Sequence, residues 1–151
     1  MQPRSPLPGA LIAFAGIAVA AWVTVGRVPF GIAGELTPVY LLTIGILLVL
    51  LNAFIAEAVM RAAQHGYRHR PATFGMLFTS WALGVLLGLT IPDVTPDGLQ
   101  TILSGPHEPG LGIAIGIANP LGIVMIVTAI VALGLARGDA KGKAHAVEEE
   151  E

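Results

Sequence analysis

Apolar positions in this chain do not alternate with polar ones; they run on almost unbroken through four stretches, Gly9 to Gly26, Val39 to Met60, Thr73 to Ile91 and Leu111 to Ala136. Each approaches or exceeds the roughly 20 residues that a helix needs to cross a hydrocarbon layer. Backbone N–H and C=O groups find no water there, so a crossing run of this kind must satisfy them internally as a helix. The period-two alternation of a membrane β-barrel is missing. The pattern therefore predicts an all-α fold, a polytopic four-transmembrane-helix bundle over residues 1–137, followed by a polar tail over 138–151.

Composition agrees with the pattern. Of the 151 residues 54% are hydrophobic and 12% charged, about half the charge of an average soluble domain. That balance excludes a nucleic-acid-binding domain, a disordered chain and a secreted disulfide scaffold. The absence of Cys removes disulfides, zinc ribbons and thiol catalysis. The tail GDAKGKAHAVEEEE has too few apolar residues to order itself and reads as a disordered cytoplasmic extension with a solvated acidic end.

Charge then sets direction. Arg61, Arg68 and Arg70 lie between the second and third spans, Arg137, Lys141 and Lys143 follow the fourth, and Arg4 precedes the first. These regions share one side, whereas the other holds Arg27 with Glu35, Asp93, Asp97 and Glu108. Basic residues resist translocation, so both termini are expected in the cytoplasm of a plasma-membrane protein. Ala18, Val19 and Ala20 mimic a signal-peptide cleavage site, but the apolar run continues through Trp22 to Gly26 and reads as a retained anchor.

Within the spans, polar and small residues mark candidate sites. Gly84 and Gly88, with Ser80, form a small-residue ridge on the third span, and Gly112 and Gly116 form another on the fourth; both suit close helix packing. Asn119-Pro120 puts a carboxamide beside a proline that frees the carbonyl of Gly116, which predicts a kink. Asn52 and Ser80 lie at matching depth, which makes Ser80 or Thr79 the expected partner of the Asn52 amide if the second and third spans are neighbours. Glu57 precedes Arg61 by four residues, the favourable order for an ion pair, and sits close to the end of its span; that reading outweighs a transport carboxylate. Asn52, Glu57, Ser80, Asn119 and Pro120 together are the candidate intramembrane polar site.

Arg61, Arg68 and Arg70 read as a collar for anionic lipid head groups, with His65 and His69 able to make it pH-sensitive. The same arginines would repel a metal from the two histidines, so no metal or other cofactor is expected. After Pro92, Thr95 and Pro96 suggest the cap and first residue of a short interfacial helix carrying Leu99, Ile102 and Leu103.

No nucleophile elbow, phosphate-binding loop or zinc-protease motif is present. The leading expectation is a small non-catalytic membrane subunit or interaction partner, in a homo-oligomer or larger membrane complex, with lipids as further partners and no nucleic acid. An oligomeric channel or transporter for a small solute or ion is the alternative, and a membrane-embedded enzyme the third reading.

Overall fold

The computed structural model describes residues 7–142. Four helical segments are long and apolar enough to cross a membrane: Leu7–Phe30, Thr37–Gln64, Pro71–Thr90 and Gly110–Asp139. The first comprises helix α1 (Leu7–Val25) and a 3-10 turn (Val28–Phe30). The second begins as α2 (Thr37–Tyr40), widens into a π turn (Leu41–Gly45) and continues as α3 (Ile46–Gln64). Helix α4 (Pro71–Thr90), a short hairpin of β1 (Asp93–Thr95) and β2 (Gly98–Gln100), and α5 (Gly110–Asp139) complete the chain. Pro71 starts α4 where its missing N–H costs nothing. It also holds Arg70 in an extended conformation, ψ 138°, which ends the preceding loop sharply.

Large apolar side chains point outward along every span; Phe14, Leu42, Phe78, Ile113 and Ile123 are all more than half exposed. In water this would be an aggregation surface, and in lipid it is the solvated face. Small residues fill the inside instead. Ala114, Ala118, Ala129, Ala132 and Ala136 are the buried stripe of α5, and they let neighbouring backbones come close enough for dispersion to hold the helices together.

The helices close in the order α1, α3, α5, α4 around the bundle, because close backbone approaches join α1 to α3 and α4, and α5 to the same two. The second and third spans are thus diagonal, not the neighbours that their short loop suggested. The loop runs across the bundle end because Arg70 at its far end is tied to Asp139 at the end of α5. Gly9 lies against Met60 and Gly142 against Tyr67, so both ends of the described chain share this end of the bundle with the arginine-rich loop. We call it the basic end and the opposite one the hairpin end.

The segment after Pro92 is a hairpin and not an interfacial helix. Val94 pairs with Leu99 and Thr95 with Gly98 across a Pro96-Asp97 turn. Thr95 does cap locally, but its hydroxyl accepts from the Asp97 amide at 3.2 Å and donates to the Gly98 carbonyl at 2.9 Å, closing a turn. Gly98 adopts φ +102°, which no helix allows. Thr-Pro-Asp-Gly is a turn sequence with a mechanism, and that signal outweighs the apolar spacing of Leu99, Ile102 and Leu103. Helix α5 is continuous through Pro120 and runs to Asp139, past the expected end at Ala136. The tail from residue 143 lies outside the described residues.

Candidate functional site

At the hairpin end the chain buries an ion pair. Arg27, two residues beyond the end of α1, lies 3.5 Å from Asp93, and the two side chains are 2% and 0% exposed. Charges removed from water need replacement partners. Arg27 donates to the carbonyls of Val23 at 3.0 Å and Pro92 at 3.2 Å, and its guanidinium lies 4.9 Å over the ring of Tyr40. The Tyr40 hydroxyl donates to the same Pro92 carbonyl at 3.0 Å. Asp93 accepts from the amides of Leu36 and Val94, each at 2.8 Å, and from the Thr37 hydroxyl at 2.5 Å. Burial opposes ionisation of the Asp93 carboxyl, but hydrogen bonds from Thr37, Leu36, Gly34 and Val94 outweigh it and hold the pKa below the usual carboxylate range. Gly34 is required here: a Cβ would run into the Val94 carbonyl. One carboxylate thus gathers α1, the loop before α2 and the start of the hairpin.

The basic end repeats the pairing with different partners. Asp139, fully buried, accepts from Arg70 Nε at 2.6 Å, from the Arg70 amide at 3.2 Å and from the Thr73 hydroxyl at 2.7 Å. Arg70 also donates to the Leu135 carbonyl at 3.1 Å but keeps 37% of its side chain exposed. His69 Nδ1 approaches Asp139 at 3.9 Å. Arg70 is therefore held against the end of α5 while part of its side chain stays exposed.

Between the ends lies a polar belt. Asn52 is buried, donates to the Leu48 carbonyl at 2.9 Å and accepts from the indole of Trp81 at 2.9 Å, bridging the diagonal between α3 and α4. Its side chain packs on Gly16, where a Cβ would clash. Ser80 points elsewhere and donates to the Met125 carbonyl on α5 at 3.0 Å, while Thr79 bonds back to Gly75 on its own helix. The expected Asn52 partnership with Ser80 or Thr79 is thus replaced by one with Trp81, whose longer side chain can reach across a diagonal. Gly84 and Gly88 face α1: added Cβ atoms would strike Val19 and the Trp22 indole respectively. The room at Gly88 lets that indole donate to the Val85 carbonyl at 3.0 Å. Gly112 lies beside the Glu108 carboxylate, which caps its amide at 3.1 Å, and Gly116 borders open space.

Two surface features remain. Glu57 and Arg61 pair at 2.6 Å on an exposed face of α3. Asn119 lines a groove of about 520 Å³ with Tyr40, Thr43, Ile91 and Gly122 among its walls. Its carboxamide is exposed and makes no hydrogen bond among the described residues. At about 1.5 Å per residue from Gly110 it stands roughly 13 Å into the span.

Asn52, Ser80 and Asn119 lie within the long apolar helices, as the sequence pattern leads one to expect, whereas that pattern gives Arg27 and Asp93 only a part in the charge asymmetry and gives Asp139, Tyr40 and Trp81 none. One of these last three carried a signal. Met125, Ala129, Ala132, Ala136 and Asp139 are spaced alternately by four and three residues, so the acid continues the buried stripe of α5. Comparison of the chain with known protein families, characterised proteins and solved structures finds no match.

Proposed function

We propose that this multi-pass membrane protein is a non-catalytic subunit of the plasma membrane, with both termini cytoplasmic, that docks another transmembrane segment through the Asn119 groove. The supporting observation is that single carboxamide. Polar side chains in the interior are largely spoken for: Asn52 by Trp81, Ser80 by Met125, Asp93 by Arg27 and backbone amides. Asn119 has no such partner and would leave an amide in hydrocarbon, where unsatisfied polar groups cost several kcal/mol each. A helix from another subunit, bringing a hydroxyl or amide, would remove that penalty. The groove also joins two irregular stretches, the π turn beside Tyr40 and the proline-relieved turn at Asn119-Pro120, where backbone carbonyls can accept extra bonds. The cytoplasmic placement of the basic end rests on seven basic residues on that side against one on the other.

The test is purification of the full chain and of Asn119→Leu in mild detergent, with native mass and the identity of co-eluting chains. A stoichiometric heterologous membrane protein present with wild type and lost with the variant supports the subunit reading. A pure homo-oligomer whose assembly depends on Asn119 favours the alternative, a conduit lined by the Tyr40 and Thr43 side of the groove. A monomer in both cases overturns both.

A further inference from the structure

At the basic end, α3 and α5 flank a groove of about 500 Å³ whose lining includes Arg61, His65, Arg137, Lys141, Phe54 and Glu57. We infer that this groove binds the phosphate of an anionic membrane phospholipid, with the acyl chains running down the adjoining faces of α3 and α5. This stands independently of the Asn119 interface.

Three observations combine. The groove holds three permanent cations against one carboxylate, and that carboxylate is committed to Arg61 at 2.6 Å, which leaves Arg137 and Lys141 without an acid within salt-bridge distance among the described residues. The cations sit where apolar stripes end. Leu47, Leu50 and Phe54 precede Glu57 and Arg61 along one exposed face of α3, and Val127, Ile130 and Gly134 precede Arg137 on α5, with Lys141 in the turn just beyond the helix. Gly134 has no atom within 4 Å of where a Cβ would stand, so the lane below Arg137 is open. Finally, Arg137 lies 5.8 Å over the Phe54 ring, which holds the guanidinium at the mouth of the groove with its donors available. A soluble phosphate would use the cations alone. A phospholipid uses both the cations and the apolar lane, and the continuity of the two selects it.

This groove shares Arg61 with the collar expected from Arg61, Arg68 and Arg70, and draws its other cations from Arg137 and Lys141.

The test uses the full chain in mild detergent, titrated with phosphatidylglycerol or phosphatidylcholine and read by native mass spectrometry. Each basic side chain near a membrane surface contributes about five-fold in affinity for anionic lipid. Replacing both Arg137→Gln and Lys141→Gln is therefore expected to weaken phosphatidylglycerol retention about 30-fold, with phosphatidylcholine unchanged. Glu57→Gln is expected to strengthen it about five-fold, a gain that misfolding cannot mimic. Equal retention of the two lipids by wild type, or no loss in the double variant, overturns the proposal. So does displacement of the lipid by millimolar inorganic phosphate, which would make free phosphate the ligand. Retention that appears only after removal of Glu148 to Glu151 would place the chain's own acidic end in the groove and overturn it as well.

Discussion

Both ends of the bundle are closed by an arginine–aspartate pair, and the two pairs are built in opposite senses. At the hairpin end the arginine is the committed partner. Arg27 is 2% exposed, and Asp93 is the one carboxylate within salt-bridge distance among the described residues. At the basic end the aspartate is committed and the arginine is not: Asp139 is fully buried, while Arg70 keeps 37% of its side chain in contact with the surroundings. Each pair ties together segments more than 60 residues apart in the chain, α1 to the hairpin in one case and the loop before α4 to the end of α5 in the other. The difference is in what remains when one partner is lost. Without Asp93 a guanidinium is stranded inside the protein, whereas without Asp139 the guanidinium can turn to water.

The largest effect therefore belongs to Asp93→Ala, expected to lower stability by about 3–5 kcal/mol, the range for leaving a buried charge unpaired. It should be seen as a fall in Tm in detergent, with loosening of the loop at residues 34–37, whose Leu36 amide and Thr37 hydroxyl lose their acceptor. Asp139→Ala comes second, at about 1–3 kcal/mol, since its loss unpairs the Thr73 hydroxyl and the Arg70 amide but strands no charge. Equal losses for the two alanine variants would break the contrast, and would mean that Arg70 is as confined as Arg27.

Acid sharpens the same comparison with a smaller effect. The folded Asp93 carboxyl has its pKa below the ordinary value of 3.8, so as pH falls the unfolded chain takes up the proton first. Its contribution is complete above the ordinary value and disappears as pH drops through the lowered one. Wild-type Tm is expected to hold from neutrality to about pH 4 and to fall below it, and the Asp93→Asn variant should lose that part of the fall. An equal fall below about pH 4 in wild type and in Asp93→Asn would remove Asp93 as its source.

How much of this could be read in advance follows from the kind of signal each feature leaves. The spans were legible because hydrocarbon demands helices wherever long apolar runs occur, and lipid requires no further detail. The arrangement around the bundle was not. A short loop normally implies neighbouring helices, but here the loop crosses the bundle end to bring Arg70 to Asp139 on α5, an interaction between residues with no local pattern in common. Arg27 and Asp93 were read only as topology charges, since hydropathy counts a charge and says nothing of where its partner lies. The hairpin was legible in Thr95-Pro96-Asp97-Gly98, and was misread because apolar spacing was weighed above turn chemistry. Asn119 stands out in the sequence as the one carboxamide of its span, and in the fold because it makes no hydrogen bond among the described residues.

The smallest effect lies midway between the two ends, where no charge is involved. Trp81 donates to Asn52 across the bundle diagonal at 2.9 Å, and the indole also packs edge-on to Phe78 with ring centroids 5.4 Å apart. Trp81→Phe keeps an aromatic ring in the space and removes the donor. Interhelical hydrogen bonds in membranes average about 0.6 kcal/mol, because the separated helices also find partners for their polar groups. The Asn52 amide keeps its bond to the Leu48 carbonyl, so only one oxygen loses a partner. A loss of about 0.6 kcal/mol is therefore expected, well below either end pair. Gly84→Leu, which forces a side chain onto Val19 at the same belt, should cost more, about 1–3 kcal/mol. If Trp81→Phe proved the costlier of the two, the belt would be held by its polar bridge and not by the close approach of α1 and α4. The bundle would then depend on polar contacts in the middle as it does at its ends.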